Sequence, residues 1–234
     1  MNKLLSEAVD AHGGLDRWHS FNSVRATIVS GGQLFIRKGM PQDPTPREMT
    51  VSLHVQQASL APFGAPDQRT RFTADRVAIE KLDGTVVAER RDPRSSFAGH
   101  ALATPWDPLQ RAYFNGYALW IYLTSPFALA MPGFVVEDIE PWQEGKESWR
   151  GLRATFPAAI ASHSTTQEFY FGDDGLLRRH EADDYRIGEV RQRASTVRQV
   201  NLKFRRDQSE DCGDGHQDLG RRGAGGDEPR RRIR

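Results

Sequence analysis

AYFNGYALWIYLTSPFALAMPGFVV, residues 112–136, is a stretch without a single charge in a chain whose residues are 27% charged. A run of that kind is a membrane span, a helix packed on all sides, or the wall of an apolar cavity. Its start is marked: Thr104 suits an N-cap, Pro105 the first helical position, and Asp107 the positive end of a helix. Leu109, Tyr113 and Trp120 fall on one stripe of this helix, and Phe114, Tyr117 and Ile121 on the next, so apolar groups cover every side. Ser125-Pro126 breaks the helix, and Met131-Pro132-Gly133 ends the run. A bilayer crossing needs about 20 consecutive helical residues. Two prolines, Asn115 and Gly116 make this stretch a poor span. The expectation is therefore a buried apolar helix over 105–124, and no transmembrane span.

The flanks supply what such a helix packs on. Residues 2–11 place Leu4, Leu5, Ala8 and Val9 on one helical face, stopped by His12-Gly13-Gly14, and a short helical turn follows over 15–21. The period then changes to two. Val24, Ala26 and Ile28, then Leu34 and Ile36, alternate with polar residues around a turn or bulge at Gly31-Gly32. Residues 40–46 hold three prolines and read as a loop. Strand patterns follow over 49–55, 69–73, 77–82 and 86–90, with Asp83-Gly84 as a hairpin signal. Beyond the helix they resume over 134–139, 149–156, 167–171 and 176–185, the last two joined by the turn Gly172-Asp173-Asp174-Gly175. Strands in series, without a repeating strand-helix-strand unit, predict an antiparallel sheet, with the helix against its concave face.

Composition narrows the classes. The chain has 234 residues, 38% of them hydrophobic, with a formal net charge of +1, so no bulk attraction to nucleic acid or anionic membrane is expected. The mean hydropathy of −0.63 lies toward the polar side. Cys212 is the single cysteine, which excludes an intramolecular disulfide and a multi-thiolate zinc site. Glu7 and Asp10 stand where a signal peptide has its apolar core, so a cytoplasmic location is expected. Val200, Leu202 and Phe204 fit one more strand. Residues 206–234 are Arg- and Gly-rich and lack aromatics, and are expected to be disordered; out-of-frame reading of a GC-rich gene gives such a composition.

No reactive constellation stands out. His12, Asp16 and His19 have spacing that suggests metal ligands, but Gly13-Gly14 interrupts the helix that would align them, so helix-end capping is the reading. Ser162, His163 and Ser164 lack the surroundings of a nucleophile elbow and are read as surface strand or loop positions. Asp173-Asp174 and Asp183-Asp184 suit a turn and a strand end. The glycines lack the context of a phosphate loop, and RRRIR at the C-terminus has no interleaved aromatics. No catalytic residue, metal or cofactor is assigned.

Three segments carry a resemblance. They are Leu4-Leu5-x-x-Ala8-x-x-Ala11-His12-Gly13-Gly14, the helix end Leu123-Thr124-Ser125-Pro126-Phe127, and the hairpin Phe169-Tyr170-Phe171-Gly172-Asp173-Asp174-Gly175-Leu176. Over 2–185 the layout resembles the LolA/LppX lipoprotein-carrier superfamily, and more closely a group of bacterial proteins opening with AHGGLDRW, here 11–18. The resemblance implies an incomplete antiparallel barrel closed by helices over an apolar cavity. The carriers are exported and continue with further strands after the hairpin. Here strand character fades, so the barrel is expected to stay open at one edge.

The reading is an α+β fold: a curved antiparallel sheet with N-terminal helices and one buried apolar helix, in a single domain over 1–205. Phe35, Phe72, Trp106, Phe114, Tyr117, Trp120, Phe156 and Phe169, with Tyr113 and Phe171 in the same aromatic set, either fill the core or line a cavity. The expected function is non-catalytic binding of a hydrophobic small molecule or acyl chain. The alternatives are an enzyme acting on an apolar substrate in the same cavity, and a degenerate gene product without activity.

Overall fold

The computed structural model describes residues 1–30, 32–40 and 45–182, together with the backbone of 203–205. The segments 183–202 and 206–234, with Asp183-Asp184, Val200, Leu202, Cys212, His216 and the RRRIR end, lie outside the described residues, as does Gly31.

Helix α1 (Lys3–Ala11) starts at Asn2, whose side chain accepts from the Leu5 N–H at 3.0 Å, and buries Leu4, Leu5, Ala8 and Val9. It ends at His12, whose Nδ1 donates to the Ala8 carbonyl at 2.7 Å. The five-residue helix α2 (Leu15–His19) buries Trp18, which stacks on Phe127 at 4.3 Å.

Six strands follow: β1 (Ser23–Ile28), β2 (Arg47–Ser52), β3 (Ala58–Ala61), β4 (Gln68–Phe72), β5 (Arg76–Lys81) and β6 (Val86–Arg91). Two of the sequence expectations change here. Leu34 and Ile36 are not in a strand, because Gln33–Arg37 forms a short helix, α3. Three apolar residues in a row, Leu34 to Ile36, fit either period; the helix puts Phe35 inward and leaves Ile36 exposed. Strand β3 has no strong local signal, since Ala-Ser-Leu-Ala has little β-branching, and pairing to β2 and β4 places it. The Asp83-Gly84 turn joins β5 to β6 as expected.

Helix α4 (Pro108–Thr124) begins three residues later than the sequence suggests. Asp107 is its N-cap, with Pro108 in the first turn. Asp107 accepts from the Gln110 N–H at 2.8 Å, while the Gln110 side chain accepts from the Asp107 N–H at 3.0 Å. This reciprocal pair outcompetes Thr104, whose hydroxyl serves a turn by accepting from the Ala101 N–H. The helix ends at Ser125, ahead of Pro126. No residue from Leu109 to Thr124 is exposed, but Gln110, Arg111, Asn115 and Thr124 are among the buried ones, so the helix is not apolar along its length. No helix among the described residues is long and apolar enough to cross a membrane.

The chain then forms β7 (Val135–Glu144), β8 (Glu147–Thr155), β9 (Thr166–Phe171), β10 (Leu177–Ala182) and, near Phe204, β11 (Lys203–Arg205). The β7–β8 hairpin is longer than expected, running past Pro141 by an irregularity between Ile139 and Trp142. All strand pairs are antiparallel, but they make two sheets rather than one. The order is β11-β1-β2-β3-β4-β5-β6 in the first and β10-β9-β8-β7 in the second. The fold is α+β, with α4 in contact with both sheets.

On one side α4 lies across β2–β6. Gly116 faces Phe72, so close that a β-carbon there would fall 2.3 Å from the ring. Trp120 donates its indole N–H to the carbonyls of Ser52 (2.8 Å) and Val55 (3.1 Å). On another side Tyr122 meets His180 of β10 at 5.5 Å, and Tyr117 meets His163 of the β8–β9 loop at 5.9 Å. The buried Gln56 side chain ties the sheets together, donating to the Ala161 carbonyl at 2.8 Å and accepting from its N–H at 2.7 Å. One apolar cluster draws on α1, α4 and both sheets.

Two substitutions test this packing. Gly116→Ala gains about 1 kcal/mol of helix propensity but forces Phe72 or α4 to move, at about 1–3 kcal/mol. Net destabilisation in urea unfolding is expected, and a stabilised variant would show that the helix does not sit on Phe72. Trp120→Phe keeps most of the ring and leaves two carbonyls without their donor, so a loss of about 1–3 kcal/mol is expected by the same measurement.

Candidate functional site

Four of the aromatic groups singled out in the sequence converge. Phe35 comes from α3, Trp106 from the segment entering α4, and Phe114 and Tyr117 from α4 at a spacing of three, hence on neighbouring positions of one face. Phe35 and Phe114 meet edge to face at 5.8 Å, as do Phe114 and Tyr117 at 5.3 Å, and Trp106 meets Phe114 at a tilt at 5.1 Å. Tyr113 extends this nest, contacting Tyr117 at 5.3 Å and Phe72 at 5.5 Å, and Phe97 closes on Trp106 at 5.6 Å. Phe72 thus touches the rim of the nest.

The other three groups lie elsewhere. Trp120 is held by its two hydrogen bonds to the large sheet. Phe156 packs on Phe134 at 4.8 Å. Phe169 stacks on His180 at 4.4 Å, and Phe171 is buried on the same strand.

Sequence reasoning missed the cations of the nest. Lys38 has no exposed surface; its Nζ donates to the Ala101 carbonyl at 2.8 Å and lies 5.3 Å from the centre of the Trp106 ring. Burial pulls its pKa below the ordinary lysine value. No carboxylate pairs with it among the described residues. The Arg111 guanidinium lies 4.9 Å from the centre of the Phe35 ring. The usable signal was Lys38 at three residues from Phe35, one helical face, which appears only once 33–37 is read as helix rather than strand.

A second polar group lies deeper. His180 is buried and donates from Nε2 to Gln167 Oε1 at 2.7 Å, and Gln167 in turn donates to the Ser164 carbonyl at 3.0 Å. Burial lowers the His180 pKa to about 3, with a smaller push from His163. His163 packs against Phe114 and Tyr117, and burial lowers its pKa to about 4. Ser162 and Ser164 are buried too, which corrects their reading as surface positions. Their hydroxyls donate to the carbonyls of Ser164 and Thr166, at 2.7 and 2.6 Å, so neither is aligned as a nucleophile on His163.

Among the remaining sequence candidates, Asp174 has a structural role. Asp174 accepts from the Leu176 N–H at 3.0 Å and pairs with Arg178 at 2.6 Å in an exposed turn, the backbone bond first and Arg178 second holding its carboxyl below the usual range. The His19 and His54 rings lie 5.8 Å apart. Among the described residues no group of three or more His, Cys, Asp or Glu is placed to hold a metal ion. What the nest offers chemically is apolar contact bordered by positive charge.

The buried histidines make stability depend on pH in a defined direction. Their folded pKa values of about 4 and about 3 lie below the 6.5 of an unperturbed histidine, so the unfolded chain binds more protons as the pH falls below 6.5. Their contribution is complete above that value and is lost on acidification, with a slope of up to about 1.4 kcal/mol per pH unit for each. Urea unfolding at pH 7, 6 and 5 is expected to show this decline, and His180→Asn to flatten it; an unchanged slope in that variant would place the titration elsewhere.

No family model matches this chain, and no curated protein matches it.

Proposed function

We propose that this protein is a non-catalytic binder of a hydrophobic small molecule or acyl chain, seated in the nest of Phe35, Trp106, Phe114 and Tyr117. The large sheet, curving around α4 as an incomplete barrel, would supply the outer wall, as the resemblance to the lipoprotein carriers implies. The observation that carries the reading is how α3 is attached. It has five residues and lies between Gly32 (φ 129°) and Gly39 (φ 68°), and Phe35 is its one buried residue. Swinging such a short element costs few apolar contacts, so it belongs to the low-stability end of the molecule, where ligand access is cheapest. Opening it would uncover the faces of Trp106 and Phe114. Aromatic walls with few polar groups favour an apolar guest. The absence of an aligned nucleophile and base among the described contacts favours binding over chemistry.

The test uses an uncharged fluorescent probe, N-phenyl-1-naphthylamine, on the full chain. Saturable one-to-one binding that raises the melting temperature is expected, since a ligand selective for the folded state stabilises it. Phe35→Leu and Phe114→Leu are expected to weaken it by about tenfold, equivalent to about 1.4 kcal/mol. Phe156→Leu, outside the nest, leaves affinity unchanged. Absence of binding across a panel of apolar probes and fatty acids, or equal sensitivity to all three substitutions, would overturn the proposal.

A further inference from the structure

We infer that the ligand of the nest carries a carboxylate, held by the Lys38 ammonium and the Trp106 indole N–H, with its apolar chain on Phe35, Phe114 and Tyr117. This rests on reading the nest as a binding site and adds the class of ligand.

The argument starts from donors. An ammonium has three N–H groups, and Lys38 gives one of them to the Ala101 carbonyl. It also lies over the face of Trp106. The indole N–H of Trp106 is buried and has no hydrogen-bond partner among the described residues, and the same holds for Nδ1 of His100, next to Ala101. The two residues are neighbours in space: the Trp106 backbone N–H donates to the Lys38 carbonyl at 2.9 Å, and the ammonium lies over the Trp106 ring. Gly39, next in the chain, turns the backbone here with a positive φ of 68°, a conformation that side-chain-bearing residues rarely adopt.

The acid adjacent in sequence is already engaged. Asp107 accepts from the Gln110 N–H and pairs with Arg90 at 2.8 Å. A core built for stability alone gains nothing from an ammonium and an indole N–H with so few acceptors. A carboxylate is an acceptor-only group with two oxygens, enough to take one bond from the ammonium and one from the indole, and a charged pair makes the stronger kind of hydrogen bond. The Arg111 guanidinium over Phe35 adds positive potential of the same sign. A chain leaving such a headgroup meets the rings of Phe35 and Phe114.

The experiment is a headgroup series on the full chain at pH 7: dodecanoate, dodecanol and dodecylammonium, each read by calorimetry and by displacement of the naphthylamine probe. Dodecanoate is expected to bind at least about tenfold more tightly than dodecanol, with dodecylammonium the weakest. Lys38→Met is expected to keep dodecanol affinity and erase the preference for the carboxylate. Equal affinity for dodecanoate and dodecanol, or a preference that survives Lys38→Met, overturns the headgroup assignment and leaves the apolar site standing. Binding of none of the three overturns both. Should Lys38→Met fail to fold, the wild-type order decides, together with Trp106→Phe, which removes the indole N–H and is expected to reduce the preference by about threefold; an undiminished preference there counts against the assignment.

Discussion

The contact on which the rest of the structure depends is the ring of Phe72 against the backbone of Gly116. Without a side chain at that point, α4 descends onto the sheet until only ring and backbone separate helix from strand. That depth places Trp120, four residues on, within reach of the Ser52 and Val55 carbonyls. It sets Tyr113 against Phe72 on the preceding turn. Other sides of the helix carry Phe114, Tyr117 and Tyr122, which meet α3, the β8–β9 loop and β10. A larger residue at 116 would lift the helix and loosen these contacts together, because packed interiors have little free volume to absorb the shift.

Ionisable groups around α4 are handled in two ways, unlike the buried Glu80, which pairs with Arg69, Arg71 and Arg76. Burial pulls the pKa of His180 and His163 well below the ordinary value, which favours their neutral forms, and the His180 N–H is met by Gln167. Lys38 and Arg111 instead lie on aromatic faces. Cation–π contact partly offsets the loss of water but does not provide acceptors for N–H groups. The first arrangement suits a structural role in joining β9, β10 and α4. At Lys38 the second leaves donor capacity where a short, glycine-bounded helix covers an aromatic surface.

The candidate site was partly legible before any coordinates. Aromatic groups at 35, 106, 114 and 117 could be named, but not separated from 120, 156 and 169, since composition does not say which rings meet. Lys38 was invisible because a lysine between Arg37 and Gly39 looks like an ordinary surface residue, and its burial follows from Trp106 folding back over it. Ser162 and Ser164 are loop residues, as their sequence suggests, but not surface ones; the β8–β9 loop that holds them is joined to Gln56, more than a hundred residues away in the chain.

What the sequence determined by itself is local. The end of α1 at His12, the Asp83-Gly84 turn, the helix within 105–124 and its break at Ser125-Pro126 depend on caps, turn residues and proline geometry acting within a few residues. Tertiary structure alone decided the division into two sheets, the placement of β3 and the helical state of 33–37. A strand needs a partner to satisfy its backbone, and the partner is chosen by contacts across the whole chain. A short apolar run is helix or strand according to which form buries its side chains. In α3 that was settled by Phe35 finding Trp106 and Phe114.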